Sequence, residues 1–386
     1  MHVILTALVL ASTAAMMSTY LYTPSMPRLV EYFHTTPAVV KLSLSLNALA
    51  FSLMQLIYGP LSDRFGRRPV MLVGMAAFIV FSLCCAAAQT IVQLIAARIF
   101  QGMSAAAEAV LVYAIIHDLF YETDRVRALA IYGMVIALTP AIAPIAGGYL
   151  HVWLGWQANF VLIAITGALA LTLIWRLLPE SAPPDKNGMQ PKMIIKDYGR
   201  LLANRGFMKY AILTGAGSGV IMAFVTAGPF ILISYFNVAT EHYGLYFVIP
   251  VFSFFASNLV TRQLAGKMNI EVLLRLGLII AVMGTIGITG LILSSVQGPL
   301  SLFLVFAVTT FGLGPVFAIA PMRALDSTDR PTGVASAMVN MLPMLMGGLA
   351  SVSLSIFHDS TSRPLAMTVI GLLCIAGFAY WMASES

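Results

Sequence analysis

Residues 59–68 read GPLSDRFGRR, a stretch whose charges set it apart from its surroundings. One aspartate and three arginines stand close together there, in a chain of 386 residues of which only 9% are charged. Long apolar runs flank the stretch at 40–61 and 70–89. Each run has about the 20 residues that a helix needs to cross a bilayer. The stretch is therefore predicted to be a tight turn between two membrane-spanning helices.

The composition of the whole chain indicates a membrane protein. Hydrophobic residues make up 60% of the sequence, and the mean hydropathy is +0.91. A soluble globular protein has about 45 to 50% apolar and about 25% charged residues. We therefore expect the lipid bilayer to surround most of the protein. The apolar segments predict an all-α polytopic membrane protein with twelve transmembrane helices, at 3–24, 40–61, 70–89, 92–117, 128–150, 156–178, 208–236, 242–261, 272–294, 299–320, 332–356 and 364–383.

The basic residues predict the orientation of these helices. Seventeen of the 21 lysines and arginines fall on one side of the membrane, in the connections after even-numbered spans, and only Arg28, Lys41 and Arg363 fall on the other. Because basic residues collect on the cytoplasmic side, both termini are expected in the cytoplasm of a bacterial inner membrane protein. The net charge of +6 then needs no nucleic acid partner to explain it.

One long connection divides the chain. Residues 180–206 hold its densest run of prolines and lysines, and six predicted spans lie on each side. Transporters built from structural repeats are divided in this way. We therefore predict two pseudo-symmetric six-helix bundles, at 1–179 and 207–386, joined by a central cytoplasmic loop at 180–206.

Catalytic and metal-binding signatures are not found in the sequence. It has no phosphate-binding loop ending in Lys-Ser/Thr and no nucleophile elbow, so an enzyme is not expected. The three cysteines all lie in apolar runs, and neither they nor the histidines have metal-ligand spacing. We expect no metal and no cofactor, and an ion gradient as the energy source.

Three motifs resemble those of a known transporter family. GPLSDRFGRR resembles the loop 2–3 signature of the major facilitator superfamily, and two further signatures of that family follow in order, Arg98-x-x-Gln101-Gly102 and Pro140-x-x-x-Pro144-x-x-Gly147-Gly148. The segments LIAARIFQG, HDLF and LTPAIAPIAGGYL are similar to the Bcr/CflA branch of the drug:proton antiporters. The resemblance covers essentially the whole first half, and the second half matches in layout.

The resemblance implies a cytoplasmic gate around the opening stretch. Its residues are Gly59, Asp63, Arg64, Gly66, Arg67, Arg68 and Asp118. Asp63 is expected to cap the start of span 11 near Pro331, and Arg67 or Arg68 to meet Asp118, so that the two halves lock on the inside when the carrier faces outward. The alternative is an ordinary basic loop that only orients the protein. The signature formed by Pro140, Pro144, Gly147 and Gly148 favours export, against the alternative of a kinked helix without directional meaning.

The polar residues of span 4 are the candidates for proton coupling. Glu108 is a lone carboxyl group in an apolar helix, where burial disfavours the charged form. Related carriers have an acid in span 1 at the position of Tyr20, so the hypothesis is that the titratable carboxyl group has moved to Glu108. Arg98 is expected to be its electrostatic partner. The alternatives are an Arg98 bound to backbone carbonyls and a permanently protonated Glu108 that donates a hydrogen bond between helices.

Eight polar residues inside spans are candidates for the substrate cavity, although each could instead be an interhelical hydrogen-bonding residue: Tyr20, Tyr22, Asn47, Gln55, Gln101, Tyr113, Asn258 and Asn340. The predicted function is proton-coupled export of small amphipathic molecules or drugs by alternating access, with protons and the substrate as partners of a monomer in the bilayer. The alternatives are a dedicated metabolite or siderophore carrier of the same fold and a membrane receptor or scaffold without transport.

Overall fold

The protein is a bundle of long helices, as the computed structural model describes it for residues 2–182, 191–294, 298–328, 333–356 and 363–382. Twelve helical stretches within this part are long and apolar enough to cross a membrane. The predicted fold class is therefore confirmed. The boundaries of the two halves at 179 and 207 stay a prediction.

Seven of the twelve spans are longer than the apolar runs from which they were predicted, because polar residues continue these helices beyond the apolar part. Spans 1 to 12 are Val3–Tyr32, Pro37–Phe65, Arg67–Ala86, Ile91–Leu119, Glu122–Leu154, Gln157–Leu177, Arg205–Tyr235, Thr240–Leu264, Ile270–Ile292, Pro299–Asp326, Val334–Ser355 and Arg363–Tyr380. The beginning of span 4 has a capping box, in which the Thr90 hydroxyl accepts from the Gln93 amide and the Gln93 side chain accepts from the Thr90 amide.

Two spans are not continuous α-helices. In span 1 the α-helix ends at Tyr20, a short 3-10 turn follows at Thr23–Ser25, and a new helix begins at Met26. In span 7 the α-helix Arg205–Pro229 passes into a π-helix at Phe230–Tyr235. Prolines lie in both regions and cannot donate the backbone hydrogen bond that a regular helix needs. Spans 1 and 7 are the first spans of the two groups of six, so the breaks occupy corresponding places.

The sequence predicted a loop for the whole connection between the sixth and seventh spans, but part of this connection is helical. It contains the helix Pro191–Ala203. The Tyr198 hydroxyl on this helix donates to the Leu56 carbonyl oxygen of span 2, at 3.4 Å. Burial against the bundle raises the pKa of Tyr198. The helix therefore packs on the ends of the spans.

The first six and last six spans meet mainly at one end of the bundle. We call it the odd-loop end, because it carries the connections after odd-numbered spans, and we call the opposite end the even-loop end. Ser45 of span 2 and Ser351 of span 11 are hydrogen-bonded there, with 2.6 Å between their hydroxyl oxygens. The Lys41 ammonium donates to the Leu354 carbonyl oxygen at 3.4 Å.

The buried apolar clusters follow the same division. One cluster joins the halves at the odd-loop end and includes Leu44 and Phe160 from the first six spans and Phe230 and Leu354 from the last six. Three further clusters, as far as the described residues go, each contain residues of one half or of that half and the connecting helix. The odd-loop end is therefore closed, and the even-loop end is where the halves separate.

Candidate functional site

Arg67 is the centre of the predicted gate at the even-loop end. Its Nε donates to Oδ2 of Asp118 at 2.5 Å, and its Nη1 lies 3.5 Å from Oδ1 of Asp63. The short turn between spans 2 and 3 and the end of span 4 hold these side chains together. The contact between Arg67 and Asp118 is the one that the sequence predicted. The role of this group as a gate stays a prediction.

Glu180 is a member of this group that the sequence did not reveal. Its Oε1 accepts from the backbone amides of Arg67 and Arg68, at 2.8 and 3.3 Å, at the beginning of span 3. A carboxylate there is stabilised by the positive end of the helix dipole. Gly66 has a φ of +94°, and a Cβ atom at this residue would lie 2.6 Å from Oε2 of Glu180. Gly66 therefore allows both the turn and the approach of the carboxylate.

Other predicted gate residues have different surroundings. A Cβ atom at Gly59 would meet no atom within 4 Å, so no close approach of another helix requires a glycine there in this conformation. Nη2 of Arg68 donates to the Trp175 carbonyl oxygen at 2.7 Å. Arg64 is exposed and lies over the Phe65 ring. The predicted contact of Asp63 with the start of span 11 involves residues 329–332, which lie outside the described residues.

Arg98 of span 4 is fully buried near the odd-loop end. Its Nη1 donates to the Ser18 carbonyl oxygen at 2.7 Å and to Oε1 of Gln101 at 2.5 Å. The guanidinium carbon lies 4.4 Å from the centre of the Tyr22 ring and 5.8 Å from that of the Phe160 ring. Cation–π contacts of this kind stabilise a desolvated arginine. Arg98 therefore has partners on spans 1, 4 and 6, one of them the backbone carbonyl that the alternative interpretation expected.

Glu108 lies on the same helix in a different environment. Its side chain is fully buried, and neither carboxyl oxygen has a hydrogen-bond partner among the described residues. Its electrostatic neighbours are Tyr58 of span 2 and Tyr132 of span 5. Because a helix rises about 1.5 Å per residue, Glu108 lies roughly 15 Å from Arg98 along the axis. The predicted pairing of Arg98 with Glu108 is therefore wrong for this conformation.

The candidate cavity residues divide into two groups. Tyr22 and Asn47 surround Arg98 together with Gln101: the Tyr22 hydroxyl lies 3.1 Å from that of Ser43, and the Asn47 amide donates to the Arg98 carbonyl oxygen at 2.7 Å. Tyr20 and Gln55 are also buried in the first six spans.

The remaining three candidates lie apart from Arg98. Tyr113 is 52% exposed, and its ring contacts that of Tyr132. The side-chain amides of Asn258 and Asn340 donate to backbone carbonyls of their own helices, at Phe254 and Ser336.

The Pro-Gly signature of span 5 lies within one continuous helix, Glu122–Leu154, that contains both Pro140 and Pro144. Gly147 lies against the backbone of Leu21, in the break of span 1, and Gly148 lies against the backbone of Thr240, at the start of span 8. The signature therefore helps to close the odd-loop end. Its link to the direction of transport stays a prediction.

The contacts between Ser45, Ser351 and Thr226 were not predicted from the sequence. The Thr226 hydroxyl of span 7 lies 2.7 Å from that of Ser351, and Ser355 lies 3.5 Å from Ser45. The signal was present in the runs LSLSLN at 42–47 and SVSLS at 351–355. Small polar residues in spans let helices approach closely and bond to each other.

Comparison with known proteins identifies the family of this arrangement. The family model described as Major Facilitator Superfamily matches residues 8–351. This chain belongs to the major facilitator superfamily. It is a transporter rather than an enzyme, and it works in a lipid bilayer on small substrates. The predicted family membership is confirmed.

Individual relatives of this superfamily member agree with the match. The chain is 32% identical over 340 residues to the multidrug transporter MdfA of Yersinia pestis, covering 88% of the chain and 83% of that protein. It is 29% identical over 367 residues to the uncharacterized MFS-type transporter YdgK of Bacillus subtilis, covering 94% and 90%.

The fold also resembles solved structures. A bacterial homolog of the human lysosomal transporter Spinster, in an inward-facing and unoccupied conformation, matches with a TM-score of 0.76 and 16% identity, over 99% of this chain and 96% of that chain. This likeness supports the fold alone.

Proposed function

We propose that this superfamily member exports small amphipathic molecules, including drugs, in exchange for protons. The substrate class is supported by the similarity to the multidrug transporter MdfA. That similarity favours drug export over a dedicated metabolite or siderophore carrier. The distribution of lysine and arginine supports an inner-membrane protein with both termini in the cytoplasm, and the even-loop end then faces the cytoplasm. We further propose that the protein works as a monomer.

The observation that carries proton coupling is the environment of Glu108. A buried carboxyl group without a hydrogen-bond partner is strongly disfavoured in its charged form, so proton binding and release there depend on the surroundings. The two conformations of an alternating-access carrier expose opposite faces of the site to water. Glu108 therefore takes up a proton in one conformation and releases it in the other. Since Arg98 does not contact it, the neighbouring Tyr58 and Tyr132 are the groups that respond to its charge.

The test is transport by purified protein in proteoliposomes with an imposed pH gradient, using cationic, neutral and carboxylate-bearing dyes. The wild type is expected to transport at least one dye against its concentration gradient only when the pH gradient is present. Glu108→Gln keeps the shape of the side chain but cannot ionise, so pH-driven transport should fall to the level of protein-free liposomes. A matched control is Glu31→Gln, because Glu31 pairs with Arg28 on the exposed surface. Unchanged pH-driven transport by Glu108→Gln would contradict the proposal.

A further inference from the structure

The break in span 1 lies directly over the guanidinium group of Arg98. The last turn of the first helix supplies the Ser18 carbonyl oxygen that accepts from Arg98, and Tyr22, which follows the end of that helix, places its ring against the guanidinium plane. Both Arg98 and Tyr22 are fully buried. Any movement of the break therefore changes the surroundings of the buried charge.

The break of span 1 also meets the second half of the protein. Thr23, in the 3-10 turn, interacts with the hydroxyl of Tyr243 on span 8. Leu21 and Tyr22 belong to the same buried cluster as Phe230, at the π-helical part of span 7. In transporters with repeated halves, interrupted helices at corresponding positions point to the substrate site. The two breaks therefore mark a place where the substrate site can form.

Arg98 presents an unused hydrogen-bonding edge at this place. Its hydrogen bonds to Ser18 and Gln101 leave from Nη1, and Nε and Nη2 have no hydrogen-bond partner among the described residues. The Tyr22 hydroxyl interacts with the guanidinium group both electrostatically and through a side-chain hydrogen bond. None of the ion pairs between described residues includes Arg98. The edge formed by Nε and Nη2 is the pair of parallel N–H donors that binds a carboxylate in bidentate fashion. A buried charge without such a partner is costly.

Aromatic rings continue from the guanidinium group towards the odd-loop end. The Phe160 ring centre lies 5.3 Å from that of Tyr22, and the Trp156 ring centre lies 6.0 Å from that of Phe160. These rings offer apolar surface beside a planar cation. A ligand with a flat apolar body and one carboxylate matches both features.

We propose that Arg98 is the anion-binding residue of the cargo site, and that the preferred cargo is an aromatic carboxylate. The carboxylate binds the Nε and Nη2 edge, and the aromatic body takes the place beside Phe160 that Tyr22 leaves when the break of span 1 moves. The inference rests on the proposed export function and narrows its substrate class from amphipathic molecules in general to amphipathic anions. Arg98 is then a specificity residue, with Glu108 as a separate group for the proton.

The test is isothermal titration calorimetry of the purified full chain with two ligands of the same shape, 2-naphthoate and 2-naphthamide, at neutral pH. The wild type should bind naphthoate about tenfold or more tightly than naphthamide, as expected for hydrogen bonds to a charged group. Arg98→Gln should weaken naphthoate binding by about 10- to 100-fold and leave naphthamide binding within about twofold. Arg98→Lys keeps the charge but loses the paired donors, so its naphthoate affinity should lie between the two.

Arg28→Gln is the matched control, because Arg28 is an exposed arginine paired with Glu31. It should bind both ligands as the wild type does. The inference would be overturned if the wild type bound the two ligands with equal affinity. It would also be overturned if Arg98→Gln lowered the affinity for naphthoate and for naphthamide by the same factor. If Arg98→Gln does not fold, the wild-type comparison and Arg98→Lys decide it.

The inference and the proposed function fail in different ways. A carboxylate preference without pH-driven transport contradicts the proposed function alone. pH-driven transport without a carboxylate preference contradicts the role of Arg98 alone.

Discussion

The two ends of the bundle hold their helices by different kinds of contact. At the odd-loop end, the halves meet through a buried apolar cluster, through small groups such as Ser45, Ser351 and Gly148, and through one hydrogen bond from Lys41 to a backbone carbonyl, without an ion pair between described residues. At the even-loop end, the described charges of the gate bond within the first half, as in the ion pair of Arg67 with Asp118. Close packing thus joins the two halves at the odd-loop end, whereas the charged gate residues at the even-loop end pair within the first half.

This difference explains how the protein can change between two conformations. A neutral hydrogen bond contributes only about 1 kcal/mol net. Breaking the hydrogen bonds between serine and threonine hydroxyls at the odd-loop end therefore costs little free energy. Arg67 keeps its ion pairs with Asp63 and Asp118 while the even-loop end is open, so none of these three side chains lacks an oppositely charged partner in this conformation. An alternating carrier needs two conformations within a few kcal/mol of each other. The comparison therefore predicts that changes at the two ends shift the equilibrium in opposite directions.

The largest effect is expected at Gly148. A Cβ atom there would lie 2.6 Å from the Thr240 carbonyl oxygen, on the backbone of the other half. Gly148→Ala should therefore disfavour the closed odd-loop end by about 5- to 150-fold in the equilibrium, since overpacking costs about 1 to 3 kcal/mol. The measurement is the rate at which a water-soluble maleimide labels Asn340→Cys, an exposed position in span 11. That rate should fall as the even-loop end closes.

The control for this change is on the same span. A Cβ atom at Gly133 would meet nothing within 4 Å, so Gly133→Ala should label at the wild-type rate. The exposed Cys84 and Cys374 are replaced by serine in all variants, whereas Cys85 is buried and is kept. Equal rates for Gly148→Ala and Gly133→Ala would show that the packing at Gly148 does not set the conformation.

A smaller effect of opposite sign is expected at Arg67. If the gate charges bridge the halves in the other conformation, Arg67→Gln removes contacts that close the even-loop end. Labelling of Asn340→Cys should then be as fast as in the wild type or faster, while transport falls by about three- to tenfold because the cycle loses one of its two states. Arg64→Gln is the control, since Arg64 is exposed and lies over a ring. Slower labelling in Arg67→Gln would contradict the predicted role of these residues as a gate.

The fold could be predicted from the sequence because lipid leaves few alternatives. Apolar runs of about 20 residues have to form helices in a bilayer, since every backbone polar group must be bonded internally. The contact of Arg67 with Asp118 was also predictable, because both residues lie in motifs at helix ends. The helix at Pro191–Ala203 was missed because prolines and lysines at 183–192 made the whole connection resemble a loop.

The candidate site was less predictable, since it depends on contacts between distant spans. Arg98 and Glu108 were grouped because they share a helix, but the structure gives Arg98 partners on spans 1 and 6 and gives Glu108 neighbours on spans 2 and 5. Glu180 was missed because its partners are the backbone amides of Arg67 and Arg68, which no side-chain pattern reveals. Helical spacing identifies residues on one helix, whereas a site is assembled from several.

The smallest effect is expected at Thr90, which holds the beginning of span 4 at the odd-loop end and does not join the halves. Thr90→Ala removes the hydroxyl that accepts from the Gln93 amide, and the loss of such a cap costs about 0.5 to 2 kcal/mol of stability. Thermal unfolding in detergent should therefore shift to a lower midpoint, while Thr90→Ser, which keeps the hydroxyl, should stay close to the wild type. Labelling of Asn340→Cys should not change in either variant, because both residues of the cap, Thr90 and Gln93, lie at the beginning of span 4 and neither contacts the other half through it. A changed labelling rate in Thr90→Ala would mean that general loss of stability shifts the equilibrium, and the effect at Gly148 could then no longer be assigned to the contact between the halves.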